Sequence, residues 1–286
     1  MLGAVAVAAA ALAFPAVAAP HDNDPTEPFA IGDGVWYVGA SDIASYLFRT
    51  EDGLILIDGG YATTAPQILK NIRALGFEPK QVKILLSTHA HFDHAAGLAQ
   101  IKRETGAAFY ASKLDGDLIA RGGHGDFFLK EDEKFGGDAT IFEPVKPDRT
   151  LADGQKVTLG GVTLTAHLTP GHTKGCTSWT FPVTVAGKVE QALILCSNTV
   201  LPGYRLAPGH ESYPGIAADF EKSYAFWRAA PCDVFLASHG KFYDMQAKRA
   251  ALLAGKKDAF VDPAGCKAWF DKGYAGFRAE LKKQNP

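Results

Sequence analysis

Val82-Lys83-Ile84-Leu85-Leu86-Ser87-Thr88-His89-Ala90-His91-Phe92-Asp93-His94 is the stretch on which the reading of this chain turns. Val82 to Leu86 is mostly apolar and too short for a buried helix, so it reads as a buried strand. Side chains at i and i+2 of an extended chain share a face, which points His89 and His91 the same way at the strand's end. Asp93 and His94 follow where the chain turns into a helix running from Ala95 to about Thr105. Imidazole nitrogens and carboxylate oxygens are the ligands that a borderline ion such as zinc accepts. Asp93 alone could cap a helix, and one histidine could be an ordinary polar residue. Three histidines and an aspartate within six positions are different. Imidazoles packed together without a metal leave polar nitrogens that need partners.

The chain has 286 residues, 47% of them hydrophobic and 21% charged, a globular composition able to bury a large core. A formal net charge of -2 and the lack of a basic run argue against nucleic acid or an anionic membrane as partner. Met1 to Ala19 carry no charged side chain and end in Pro15-Ala16-Val17-Ala18-Ala19-Pro20, a small-residue pattern like a signal-peptidase site. Residues 1–19 are marginal for a spanning helix, and Pro15 interrupts them. They read as a cleaved signal peptide. That leaves residues 20–286 as a single domain in the periplasm or secreted, without stable membrane association. An oxidising compartment permits disulfides among Cys176, Cys196, Cys232 and Cys266. Pairing Cys232 with Cys266 would close a loop of roughly thirty residues, worth about 3–4 kcal/mol in the chain-entropy model. Cys176 and Cys196 are expected as free, buried thiols.

Strand and helix alternate through the first half. Strands are expected at Gly34–Val38, Ser45–Arg49, Gly53–Ile57 and Ala107–Ala111, and helices at Thr63–Leu75 and Ser112–Ala120. Arg121 to Ile141 reads as a long irregular loop containing Phe127 and Phe128. Thr158-Leu159 and Val162–Leu168 flank Gly160-Gly161, a hairpin signal. Further strands are expected at Ser178–Phe181, Ala192–Cys196 and Val234–Ala237. Helices are expected at Asp219–Ala229, Gln246–Leu253 and Ala264–Lys282. No repeat is present. Two strand-helix halves in one unit fit two sheets with helices outside.

Of nine histidines, His172 and His239 stand out beyond the cluster. Each follows a strand in a turn of small residues, Pro170-Gly171-His172 and Ser238-His239-Gly240. His21, His124, His167 and His210 have weaker contexts.

The order H-x-H-x-D-H, P-G-H-T, S-H-G resembles the metallo-β-lactamase superfamily over Val35 to Leu281. Within it, the chain is most similar to class B β-lactamases of the third subclass. The similarity lies in Leu56-Ile57-Asp58-Gly59-Gly60, Asp153-Gly154, Thr169 through Trp179, Pro231-Cys232-Asp233-Val234 and the Cys232–Cys266 pair. The resemblance implies an αββα sandwich, two mixed β-sheets with helices on the outer faces. It implies two zinc ions, the first on His89, His91 and His172 and the second on Asp93, His94 and His239. The activity implied is hydrolysis of the β-lactam amide of carbapenems, cephalosporins and penicillins, and hence antibiotic resistance. A metal-bound hydroxide attacks, Asp93 orients it, and the small-molecule substrate meets a monomeric enzyme. Asn198, Ser197 and Thr199 are candidates to bind the substrate carboxylate, and the resemblance implies that Phe127, Phe128 and the aromatics of Ser41 to Tyr46 cover the substrate ring. The segment Cys196-Ser197-Asn198 departs from the family's commonest pattern and leaves open a contact of Cys196 or Asn198 with the second metal. The rival reading is a superfamily hydrolase of a lactone or thioester. Such enzymes bridge the metals with an aspartate at the end of the strand between the last two histidines. Here only Asp219 and Asp233 lie between His172 and His239, one in an expected helix and one before a strand. A non-catalytic zinc-binding protein is a third reading, disfavoured because a structural site is closed.

Overall fold

The computed structural model describes residues 22–135 and 138–285. The leader expected over residues 1–19 lies outside the described residues. No helix among the described residues is long and apolar enough to cross a membrane.

The first half builds β1 (Phe29–Gly32), β2 (Val35–Tyr37), β3 (Tyr46–Thr50), β4 (Gly53–Ile57), β5 (Val82–Leu86) and β6 (Ala108–Ser112). Helices α1 (Ala65–Ala74), α2 (Phe92–Ala95), α3 (Leu98–Thr105) and α4 (Lys113–Ile119) are interleaved with them. A small ribbon, β7 (Lys134–Phe135) and β8 (Asp138–Ala139), precedes β9 (Arg149–Leu151). The second half supplies β10 (Lys156–Leu159), β11 (Val162–Leu168), β12 (Thr177–Val185), β13 (Lys188–Leu195) and β14 (Val234–Ala237). Its helices are α5 (Ile216–Ala229), α6 (Met245–Leu253) and α7 (Pro263–Gln284). One sheet has the order β1-β2-β3-β4-β5-β6-β9 and the other β10-β11-β12-β13-β14. Both are mixed: β4, β5, β6 and β9 run parallel, as do β13 and β14, and the remaining neighbours are antiparallel.

The alternation of side chains explains the layers. Tyr46, Phe48, Ile55, Ile57, Ile84 and Leu86 face the second sheet, and Phe48 meets Phe181 edge-on with ring centroids 4.8 Å apart. Their neighbours Leu47, Leu54, Leu56 and Leu85 face outward onto Ile68 and Ile72 of α1 and Leu98 and Ile101 of α3. On the other side, Phe220, Tyr224 and Trp227 of α5 and Phe270 and Phe277 of α7 cover the second sheet. Hydrogen bonds tie the sheets at one end. Tyr46 Oη donates to Ala237 O (2.6 Å), and Thr177 N donates to Thr88 O (2.8 Å).

Some expectations shift. The helix expected from Ala95 is broken at Ala96-Gly97, because Gly97 passes against the glycine turn after β4. A Cβ on Gly97 would sit 2.2 Å from Gly59 O. β12 continues past Phe181 through the exposed Pro182, where its pairing with β11 has already ended and no N–H is needed on that side. β1 and β9 escaped the sequence reading because each is short and offers few alternating apolar residues. Cys232 and Cys266 are paired, which anchors the start of β14 to α7. Cys176 and Cys196 are not the free thiols expected: they form a second disulfide. The turn holding His172 reverses the chain and brings the start of β12 beside the end of β13, a proximity that spacing does not encode.

Gly97→Ala is expected to destabilise the protein by about 1–3 kcal/mol in urea unfolding. Gly276→Ala, at a helical position of α7 with nothing within 4 Å of the new Cβ, is expected to stabilise by about 0.5–1 kcal/mol. Equal effects from the two would refute the close-approach argument.

Candidate metal centre

The carboxyl ends of β5, β11, β13 and β14 converge at the end where the two sheets are tied. His89 and His91 leave β5, His172 sits in the turn after β11, and His239 follows β14. Asp93 and His94 lie in α2. Ligand atoms of His89, His91 and His172 lie within 4.8 Å of one another, as do those of His89, Asp93 and His94. His94 Nε2 is 3.2 Å from both Asp93 Oδ2 and His239 Nε2, and His239 Nε2 is 3.4 Å from Asp93 Oδ2. Two ligand atoms on a tetrahedral zinc at ordinary bond lengths are about 3.3 Å apart. The triangle therefore already has the edges such an ion requires.

Burial sets the charge state. It drives the imidazoles of His89 and His172 well below their usual pKa and that of His91 to about 4. These rings are neutral at pH 7, with lone pairs to give. His91 Nε2 and His94 Nδ1 are buried without a hydrogen-bond partner. Burial would raise Asp93, but the imidazoles of His94 and His239 outweigh it and hold the carboxyl well below its usual range. Neutral imidazoles, an ionised carboxylate and orphaned nitrogens together fit a bound metal.

Second partners fix the rings. Asp42 Oδ2 lies 2.8 Å from His239 Nδ1. Burial pulls His239 down, yet the carboxylates of Asp42 and Asp93 carry its pKa up to about 9. Burial likewise raises Asp42, while His239 and Lys241 bring it down to about 2. Thr199 O faces His172 Nδ1 at 2.9 Å, leaving Nε2 free. Thr88 Oγ1 donates to Asp58 Oδ2 (2.7 Å) and faces His89 Nδ1 at 3.1 Å. Asp58 is fully buried at φ 65°, and desolvation pushes its carboxyl up to about 6.

The other expected residues are placed as follows. Cys196 is in a disulfide and offers no thiolate. Asn198 is 6% exposed and turns its amide to α7, where a Cβ on Gly273 would be 2.5 Å from Asn198 Nδ2. Ser197 is 1% exposed and donates to Thr199 Oγ1, while Thr199 is half-buried. Phe127 and Phe128 pack on Tyr204, whose hydroxyl donates to His172 O (2.6 Å). Ser41 to Tyr46 back the His239 loop, with Ile43 bridged to His239 and Gly240 N donating to Asp42 O. Asp42, Thr88 and Asp115 were not singled out from sequence. The main partners of Asp42 and Asp115 lie far along the chain, and Thr88 is fixed by Asp58 thirty positions away; no local pattern marks them.

The sequence model of the metallo-beta-lactamase superfamily matches residues 38–185. The structure is similar to the metallo-beta-lactamase FEZ-1 from Legionella gormanii, with a TM-score of 0.88 and 42% identity over 93% of this chain and 99% of that one. It is similar to BJP-1, a subclass B3 metallo-beta-lactamase of Bradyrhizobium japonicum, with a TM-score of 0.82 and 39% identity over 92% and 97%. Among curated proteins, a probable metallo-hydrolase of Burkholderia pseudomallei is 31% identical over 45% of this chain. A hydroxyacylglutathione hydrolase of Anaeromyxobacter dehalogenans is 31% identical over 47% of it. The matched stretch spans 40% of each of these two relatives.

For metal-free protein, the depressed pKa values of His89, His91 and His172 contribute stability above the ordinary histidine pKa of about 6.5. That contribution is lost as pH falls, for His91 through about 4. The raised pKa of His239 contributes stability at low pH that is lost as pH rises through about 9. Urea unfolding from pH 4 to 10 is therefore expected to show declining stability on both sides of about 6.5. Asp42→Asn is expected to flatten the alkaline limb; an unchanged limb would refute the coupling.

Proposed function

The chain belongs to the metallo-β-lactamase superfamily of hydrolases, and from that premise we propose that it is a zinc-dependent β-lactamase. The proposed first zinc is held by His89, His91 and His172, the second by Asp93, His94 and His239. One observation carries the choice of substrate. At the end of β13, where thioester and lactone hydrolases of the superfamily carry a bridging aspartate, this chain has Cys196-Ser197-Asn198. The two aspartates between His172 and His239 are engaged elsewhere. Asp219 accepts from Tyr213 Oη (2.9 Å), and Asp233 accepts from Gln191 N (2.9 Å). The likeness to two metallo-beta-lactamases over nearly the whole chain supports the same reading.

Zinc bound here supplies Lewis acidity for the lactam carbonyl and lowers the pKa of water from about 16 to about 7. The protein's own groups do the remainder. Asp93, held ionised, accepts a hydrogen bond from the attacking water and orients it. Thr199 O and Asp42 keep His172 and His239 in single tautomers. The loop of Ser197, Asn198 and Thr199 receives the substrate carboxylate, with half-buried Thr199 its most accessible side chain. No covalent intermediate is needed, in keeping with the lack of a Gly-x-Ser-x-Gly motif; the serine of the Ser-x-x-Lys at Ser238 to Lys241 is fully buried and donates its hydroxyl to Cys196 O. We place the mature single domain at residues 20–286, acting as a monomer in the periplasm or outside the cell, where it confers antibiotic resistance. Two disulfides suit that compartment.

Zinc-loaded protein is expected to hydrolyse a carbapenem and a cephalosporin, to lose activity with a chelator and to regain it with zinc. Asp93→Asn is expected to lower kcat by about 10²–10⁴-fold. Cleavage of a glutathione thioester without lactam turnover would overturn the substrate assignment and favour the hydroxyacylglutathione relatives.

A further inference from the structure

Asp115 takes no part in the chemistry described above, yet it is 1% exposed and sits where three segments of the site meet. It lies in the first turn of α4. Its Oδ2 accepts from Ala90 N (3.0 Å) and from Thr173 Oγ1 (2.6 Å), and its Oδ1 accepts from Gly175 N (2.7 Å). Ala90 stands between His89 and His91, and Thr173 follows His172. One carboxylate thus binds the backbone of one ligand loop to the turn carrying the third ligand. Ser112, just before α4, reinforces the clasp by donating from Oγ to Gly175 O (2.6 Å). The fit is close. A Cβ on Gly175 would lie 2.3 Å from Ser112 Oγ and 2.4 Å from Asp115 N. Burying a carboxylate is costly unless hydrogen bonds compensate, and here three donors converge on it. The Asp93, His94 and His239 triangle is braced separately, by Asp42 on His239.

We infer that Asp115 is a positioning residue that sets the spacing of His89 and His91 against His172, and so the affinity of the first metal position alone. The inference rests on reading those three histidines as ligands of one ion. Asparagine keeps the shape but turns one acceptor into a donor, so one of the three donors must face an N–H.

The test is a two-site zinc titration by chelator competition on the intact wild-type protein, Asp115→Asn, Thr173→Val and Asp42→Asn, with thermal unfolding of each metal-free form. Asp115→Asn is expected to weaken one zinc about 10–100-fold and leave the other within about threefold. Thr173→Val, which removes one of the three donors, should weaken the same zinc by less. Asp42→Asn should weaken the other zinc, and the Asp115→Asn and Asp42→Asn effects should add. Lower thermal stability with both affinities unchanged would make Asp115 merely structural and overturn the inference. If Asp115→Asn does not fold, Thr173→Val decides by the same criterion. Failure of the wild-type protein to bind zinc would instead overturn the reading of the site.

Discussion

Four buried imidazoles and a fifth, partly exposed one, within contact of one another, are the constraint around which this molecule is arranged. Ring centroids step from His91 to His172 at 4.6 Å, from His89 to His94 at 4.3 Å and from His94 to His239 at 4.9 Å. Burial makes the charged form unfavourable for His89, His91 and His172, whose lone pairs need an electron-pair acceptor such as a metal ion. A fold that merely sought stability would place apolar side chains there. The sandwich instead spends its strand ends on presenting nitrogen atoms.

The rest of the fold supplies what those rings lack, namely direction. Three of them are held from behind: His89 by the neighbouring Thr88, His172 by the Thr199 carbonyl and His239 by Asp42. The backing groups are themselves tied down. Thr88 is clasped by Asp58, and the Thr199 segment follows a disulfide that joins it to the His172 turn. This is why the site tolerates so little slack. A ligand ring whose rear nitrogen is fixed has one position from which to reach an ion.

Much of the fold could be read directly because it is written in periodicity. The short apolar runs of Tyr46-Leu47-Phe48 and Val82–Leu86 mark strands buried on both faces, and the spacing of Ile68, Leu69 and Ile72 marks a helix against them. The histidine cluster was legible because its members are close in sequence, and His172 and His239 because each closes a strand. What escaped is held by distance. Asp42 meets His239 across 197 positions and Asp115 meets Gly175 across 60. Neither carries a local mark that separates it from a solvated surface acid. The Cys176–Cys196 bridge depends on a chain reversal that no spacing announces. Phe127 and Phe128 stood out as apolar residues in a long loop. Their actual role, packing against Tyr204 behind the His172 turn, follows only from the folded path.

The brace on His239 has one more consequence, for how the chain can be trimmed. Asp42 is itself held by the first described residues: Asp22 O accepts from both Asp42 N and Ile43 N, and Asp24 O accepts from Ser41 N. Tyr61 Oη reaches Asp22 Oδ2 (3.0 Å), fixing that end to the turn beyond β4. Residues 22–24 therefore form a strap under one histidine. A protease cut after residue 24 would leave every candidate ligand in the chain and still remove the footing of one of them. Residues 22–24 thus belong to the support of the site, although no candidate ligand lies among them.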